Sequence, residues 1–165
     1  MKMDLPTQKL DEIARQSLQE VFRKQFRLEV VSADSGHRAS SGYPILKSEV
    51  GWSSENLRGV VQIHLPQDLV REISMALLGD GPHASVSSVD LKDVAGEIAN
   101  MVAGRVSTLL AQEGLHGTLE TPKVRTVNRE ETEKESSEVT TLHHGEWICG
   151  LRQFSLSLQF NPFPS

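Results

Sequence analysis

The chain has 165 residues, 38% hydrophobic and 24% charged, with a formal net charge of −5. This balance fits one soluble globular domain over residues 1–165, and the acidic surplus leaves no basic patch ready to displace counterions from nucleic acid. No apolar run reaches the length of a membrane span, residues 1–16 lack the apolar region of a signal peptide, and the single cysteine, Cys149, excludes an intrachain disulfide; the expected compartment is the cytoplasm.

In chain order, residues 7–26 read first as a helix. Leu10, Ile13, Ala14, Leu18, Val21 and Phe22 recur at helical spacing, and Thr7 is placed to cap the start. Leu28 to Ala33 reads as a strand and Ser35 to Gly42 as a loop rich in serine and glycine. Ile45 to Trp52 is the second strand. The third is clearer: Leu57, Val61, Ile63 and Leu65 alternate with Arg58, Gln62 and His64. Pro66 ends it and suits the opening of a helix that runs to about Gly79.

After a turn-rich connection, Ser88 is placed to cap a long helix ending near Glu113, with Gly114 as its stop. The rest reads as strand over Thr118 to Val127, Glu138 to His144 and Glu146 to Phe160. His144-Gly145 reads as the hairpin turn between the last two, and Asn128 to Ser137 as a charged loop. Grouped strands of this kind predict an α+β fold, an antiparallel sheet with helices packed on one face. The order also divides into two helix-plus-three-strand halves.

Familiar catalytic equipment is missing. There is no glycine-rich phosphate loop, no CxxC or HExxH metal motif and no GxSxG elbow. His143 and His144 are adjacent, and alternation along a strand points them to opposite sides, a poor arrangement for chelation.

The most informative stretch is Asp93 to Arg105, DVAGEIANMVAGR. It places Glu97 and Asn100 one helical turn apart, on one face. Leu91, Val94, Ile98, Met101, Val102 and Leu109 form the expected apolar stripe, with Asp93, Glu97, Asn100 and Gly104 nearly opposite. Gly96, Ala103 and Ser107 are expected beside them, keeping the outward face free of bulk. This is the only Glu-x-x-Asn in the chain.

The pattern resembles the CheC/CheX/FliY family of chemotaxis phosphatases. Their signature is Asp or Ser, three residues, Glu, two residues, Asn, and then a proline a little over twenty residues on. Asp93, Glu97 and Asn100 match, and Pro122 follows after 21 residues, one short of the family spacing. The resemblance extends over most of the chain and implies the CheX-like, pseudo-repeated fold. Residues 7–26 hold no Glu-x-x-Asn, so it implies one competent site, as in CheX rather than CheC.

The resemblance also assigns roles. The partner is a phosphorylated CheY-like receiver bringing its own aspartyl phosphate, Mg²⁺ and lysine, so this chain needs no bound cofactor or metal. Asn100 aligns the attacking water, since an amide accepts and donates hydrogen bonds at once, and Glu97 pairs with the receiver's lysine. Asp93 is either a rim contact or a favourable charge in the first helical turn. Gly104 belongs to the partner-binding face. Arg105 falls on the apolar stripe and reads as structural, its stem packed and its head snorkelling out or paired with an acid. Asp68 to Gly79 echoes the motif helix, with Met75 where Asn100 stands, and carries no functional weight. Other readings are a non-catalytic adaptor for receivers or flagellar-switch proteins through the same face, and a dimeric structural domain. CheX-like proteins pair through the sheet, so a homodimer is expected.

Overall fold

The computed structural model describes residues 5–33, 44–78, 88–128, 131 and 143–162. The loop at 35–42, the connection between the second and third helices, the cap expected of the Ser88 side chain, most of the charged loop and residues 138–142 lie outside the described residues.

Helix α1 (Thr7–Val21) runs into a single π-helical turn (Phe22–Phe26), followed by β1 (Val30–Ser32), β2 (Ile45–Ser53) and β3 (Leu57–Pro66). Helices α2 (Gln67–Leu78) and α3 (Ser88–Gln112) come next, then β4 (Thr118–Leu119), β5 (Lys123–Val127), β6 (His143–Cys149) and β7 (Arg152–Pro162). The seven strands among the described residues form one antiparallel sheet of order β1-β6-β7-β3-β2, with β4 and β5 both pairing along the outer side of β2. The α+β class and the open antiparallel sheet are as the sequence predicts.

The order explains the two halves. Read from either edge, a short strand lies beside the hairpin of the other half: β1 on β6-β7, and β4-β5 on β2-β3. Each half therefore lends its first strand to its neighbour, an exchange that ties both into one sheet. The helices obey the same symmetry. The buried positions of α1 (Leu10, Ile13, Ala14, Ser17, Leu18, Val21) recur on α3 as Ala95, Ile98, Ala99, Val102, Ala103 and Val106, and Arg105 meets Glu20 across that same interval of 85 residues. Glu20 and Arg105 are thus equivalent positions facing each other where the two helices cross. The pair also settles Arg105 as structural, its head paired with an acid.

Alternation along the strands separates the faces. Leu46, Val50 and Trp52 of β2, Val61, Ile63 and Leu65 of β3, and Phe154, Leu156, Leu158 and Phe160 of β7 enter the core beneath the helices. Phe22 stacks on Phe154 with centroids 5.3 Å apart, and Phe26 meets Phe22 edge-on. Gln62, His64, Ser155 and Ser157 share the opposite face.

Several boundaries differ from expectation. Thr7 caps nothing: Pro6 holds the N-cap position, and its carbonyl receives the first helical N–H groups. The expected strand 118–127 is broken at 120–122, where Pro122 has no N–H for a ladder bond. The hairpin turn is not His144-Gly145, which lies within β6; it is Gly150-Leu151, flanked by the pair Cys149 and Arg152. Gly150 takes φ 62° at the first central position, the conformation a two-residue turn of this kind requires and glycine supplies without strain.

Candidate active site

Helix α3 spans the inner face of β2 and β5 and ends as the sequence predicts. Gly114 adopts φ 86°, its N–H bonds the carbonyl of Ala111, and the N–H of Leu115 bonds the carbonyl of Leu110. This is a Schellman termination, which satisfies the last carbonyls and needs a left-handed residue.

Along α3, Asp93, Glu97 and Asn100 are all exposed. Among the described residues none of the three is held in a side-chain hydrogen bond or ion pair. Glu97 and Asn100 therefore present a carboxylate and an amide together, both uncommitted. Helix α3 begins at Ser88, with Asp90 as the acid of its first turn. Asp93 lies beyond that turn, which removes the reading of it as a first-turn charge.

The buried stripe is rotated from the expected one. Leu91, Ile98, Val102 and Leu109 are buried, but Val94 and Met101 are only partly so, and Ala95, Ala99, Ala103, Val106 and Leu110 complete the packed side. Gly96 and Ala103 belong to this inner side, not to the outward face. The small residues serve close helix–sheet packing. A Cβ on Gly96 would lie 3.3 Å from Val124 and 3.7 Å from Pro122, so the proline that follows the motif sits against the turn carrying Glu97. Ser107 is occupied as well, accepting a hydrogen bond from Trp52 Nε1 at 3.2 Å. Gly104 alone answers to the small outward residue: it is half-buried, and nothing lies within 4 Å of the Cβ it lacks.

Two other helical faces are excluded by what they hold. The 85-residue interval that relates the helices carries Glu97 onto Glu12 and Asn100 onto Arg15. It also carries Gly96 onto Asp11, whose carboxylate accepts from Nδ1 of buried His143. The first half thus has an arginine where the second has its amide. On α2, Asp68 and Glu72, which echo Asp93 and Glu97, are both taken by Arg152 of β7. His143 and His144 point apart, as alternation predicts, and His144 bonds Ser157 and Glu146. Burial pushes the Cys149 thiol up to about 11, well away from a nucleophilic thiolate.

Sequence reasoning missed Ser48. Its side chain is buried among Leu46, Val50 and Trp52, and it donates to the Ala95 carbonyl of α3 at 3.2 Å. The available signal was a serine at an inward position of an otherwise apolar alternation.

A family model described as chemotaxis phosphatase CheX matches residues 50–142. Solved structures show the same fold. Chemotaxis protein CheX from Vibrio vulnificus is 20% identical, the match covering 96% of this chain and all of that one, with a TM-score of 0.72. The CheX of a CheX–CheY–BeF3–Mg²⁺ complex from Borrelia burgdorferi is 12% identical over 92% of this chain and 97% of that one, with a TM-score of 0.66. FliY from Thermotoga maritima matches at 17% identity over 94% and 91% of the two chains, with a TM-score of 0.56. No curated protein matches the chain in sequence. With the family model spanning more than half of it, this chain belongs to the CheX family of chemotaxis phosphatases, within the wider CheC/CheX/FliY group.

Proposed function

We propose that this chain stimulates hydrolysis of the aspartyl phosphate on a CheY-like receiver domain. The observation that carries the reading is the exposed, uncommitted pair Glu97 and Asn100, one turn apart on a helix anchored to the sheet. The Borrelia complex supports it, since CheX and CheY stand there with BeF3, a phosphoryl mimic, and Mg²⁺.

The chemistry suits a partner-completed site. Asn is neither base nor nucleophile, but its amide can hold a water by accepting one hydrogen bond and donating another. Phosphoryl transfer depends chiefly on alignment and charge stabilisation. The receiver brings the phosphoryl group and the cations that neutralise it. Asn100 orients water in line with the scissile bond. The water oxygen bonds to phosphorus, the bond from phosphorus to the aspartyl oxygen breaks with its electron pair returning to the carboxylate, and both of the water's protons leave with the phosphate. Glu97 pairs with the receiver's active-site lysine and fixes the approach of α3. Asp93 and Gly104 border the contact, and the domain, residues 1–165, acts as a homodimer with one site per subunit.

Phosphate release from phosphorylated CheY-type receivers, with and without this protein, tests the reading. Acceleration over the receiver's own decay supports it. Tight binding of the phosphorylated receiver without acceleration would replace it with a non-catalytic adaptor.

A further inference from the structure

The motif helix meets the sheet through two hydrogen bonds donated by buried side chains of one strand. Ser48 and Trp52 lie on the inner face of β2 and are 0% and 1% exposed. Ser48 Oγ donates to the Ala95 carbonyl, and Trp52 Nε1 donates to Ser107 Oγ, each at 3.2 Å. The two acceptors bracket Glu97, Asn100 and Gly104 along α3.

Apolar packing alone is a loose constraint on a helix over a sheet, because it is non-directional. Hydrogen bonds are directional and weaken steeply as they bend. One such bond sets a distance; two, spaced along the axis, also oppose rotation and sliding. A third restraint lies between them, where Gly96 lets Val124 and Pro122 approach the helix backbone closely. A valine at position 48 would match its neighbours in the alternation. The serine instead spends its hydroxyl on a helix carbonyl two residues before Glu97.

We propose that Ser48 and Trp52 are positioning residues that hold α3 in a single rotational setting, so that Asn100 meets the phosphoryl group in line when a receiver docks. The inference rests on the phosphatase reading above. A displacement of about 1 Å at a positioning group can cost a hundredfold in rate. Docking through the exposed Glu97 carboxylate tolerates far more, because a charge pair varies gently with distance. Loss of the clamp therefore lowers kcat and leaves KM nearly unchanged.

The test compares Ser48→Val, Ser48→Thr, Trp52→Phe and Asn100→Ala with the parent protein, using a phosphorylated CheY-type receiver. Ser48→Val and Ser48→Thr add the same branch at Cβ, suited to a strand, and differ only in the hydroxyl, so the comparison between them isolates the donor. The expected result is a fall in kcat of about tenfold for Ser48→Val and for Trp52→Phe. KM should stay within about twofold, and Ser48→Thr should recover most of the rate. Amide exchange of the free protein gives a readout that needs no receiver: in Ser48→Val and Trp52→Phe the amides of residues 97–104 should exchange faster than in the parent. A folded Ser48→Val or Trp52→Phe protein with parental kcat and unchanged exchange overturns the clamp. If Asn100→Ala keeps the full rate, the phosphatase mechanism fails by itself, and the exchange measurement still decides the clamp.

Discussion

Replacing Asn100 by alanine should separate activity from stability, and in opposite directions. The side chain is exposed and, among the described residues, held by no partner, so the fold loses no contact with it. Asparagine is a poorer helix former than alanine by about 0.5 kcal/mol in a helix interior. Position 100 lies well inside α3, so the variant should be slightly more stable, its melting temperature up by about 1–2 °C for a chain of this size. The receiver-stimulated rate should fall sharply. Removing one group that hydrogen-bonds only in the transition state costs about 3–4 kcal/mol, or two to three decades. The assay is phosphate release from a phosphorylated receiver at saturating and subsaturating concentrations, beside a thermal melt of the free protein. A rate within about twofold of the parent would refute the water-orienting role. A fall in melting temperature of more than about 3 °C would refute the premise that the side chain is free of the fold.

Four further outcomes follow from the geometry. Gly104→Ala places a methyl in open space and removes backbone entropy, so it should raise stability by about 0.5–1 kcal/mol in a melt while weakening receiver binding by titration. Arg105→Ala breaks the pair with Glu20 that links α1 to α3, at a cost of about 0.5–1 kcal/mol near neutral pH for a partly exposed pair. The Gln16 amide and then Arg105 hold the Glu20 carboxyl below its ordinary value against partial burial; the stability difference between parent and variant is therefore full above the unfolded carboxylate's value and should vanish in denaturation series as pH falls below the folded one. Cys149, buried in the core with its thiol pushed up, should resist a water-soluble thiol reagent in the native protein and react promptly in denaturant; equal rates in both would contradict its burial. The homodimer predicts a light-scattering mass near twice 18.2 kDa at micromolar concentration, whereas a mass near one chain rejects it. The β1 edge, with Val31 55% exposed, is a better place for strand pairing than β5, whose Lys123 and Arg125 guard the other edge.

Local patterning carried much of this protein into its sequence. The period of two in Phe154 to Phe160, the helical spacing from Leu91 to Leu109 and the stop at Gly114 each follow from backbone geometry over a few residues, and the chain states them directly. The outward setting of Glu97 and Asn100 follows in the same way, because three residues on a helix always return to the same face. What the pattern left open was decided by long-range packing. Hydrophobic spacing defines a broad arc, and only the docking of α3 on β2 and β5 determined that Gly96 and Ala103 lie inside it while Val94 and Met101 sit at its rim. A strand's apolar residues do not name its neighbours, so the exchange of β1 and β5 between halves appears only once the sheet is assembled. The hairpin at Gly150 was hidden for a related reason: His144-Gly145 and Gly150-Leu151 both allow a turn, and the register of Cys149 with Arg152 selected the second. The hydrogen bond from Ser48 to Ala95 joins residues 47 positions apart; the alternation of β2 places that serine inward, but only the assembled fold supplies its partner.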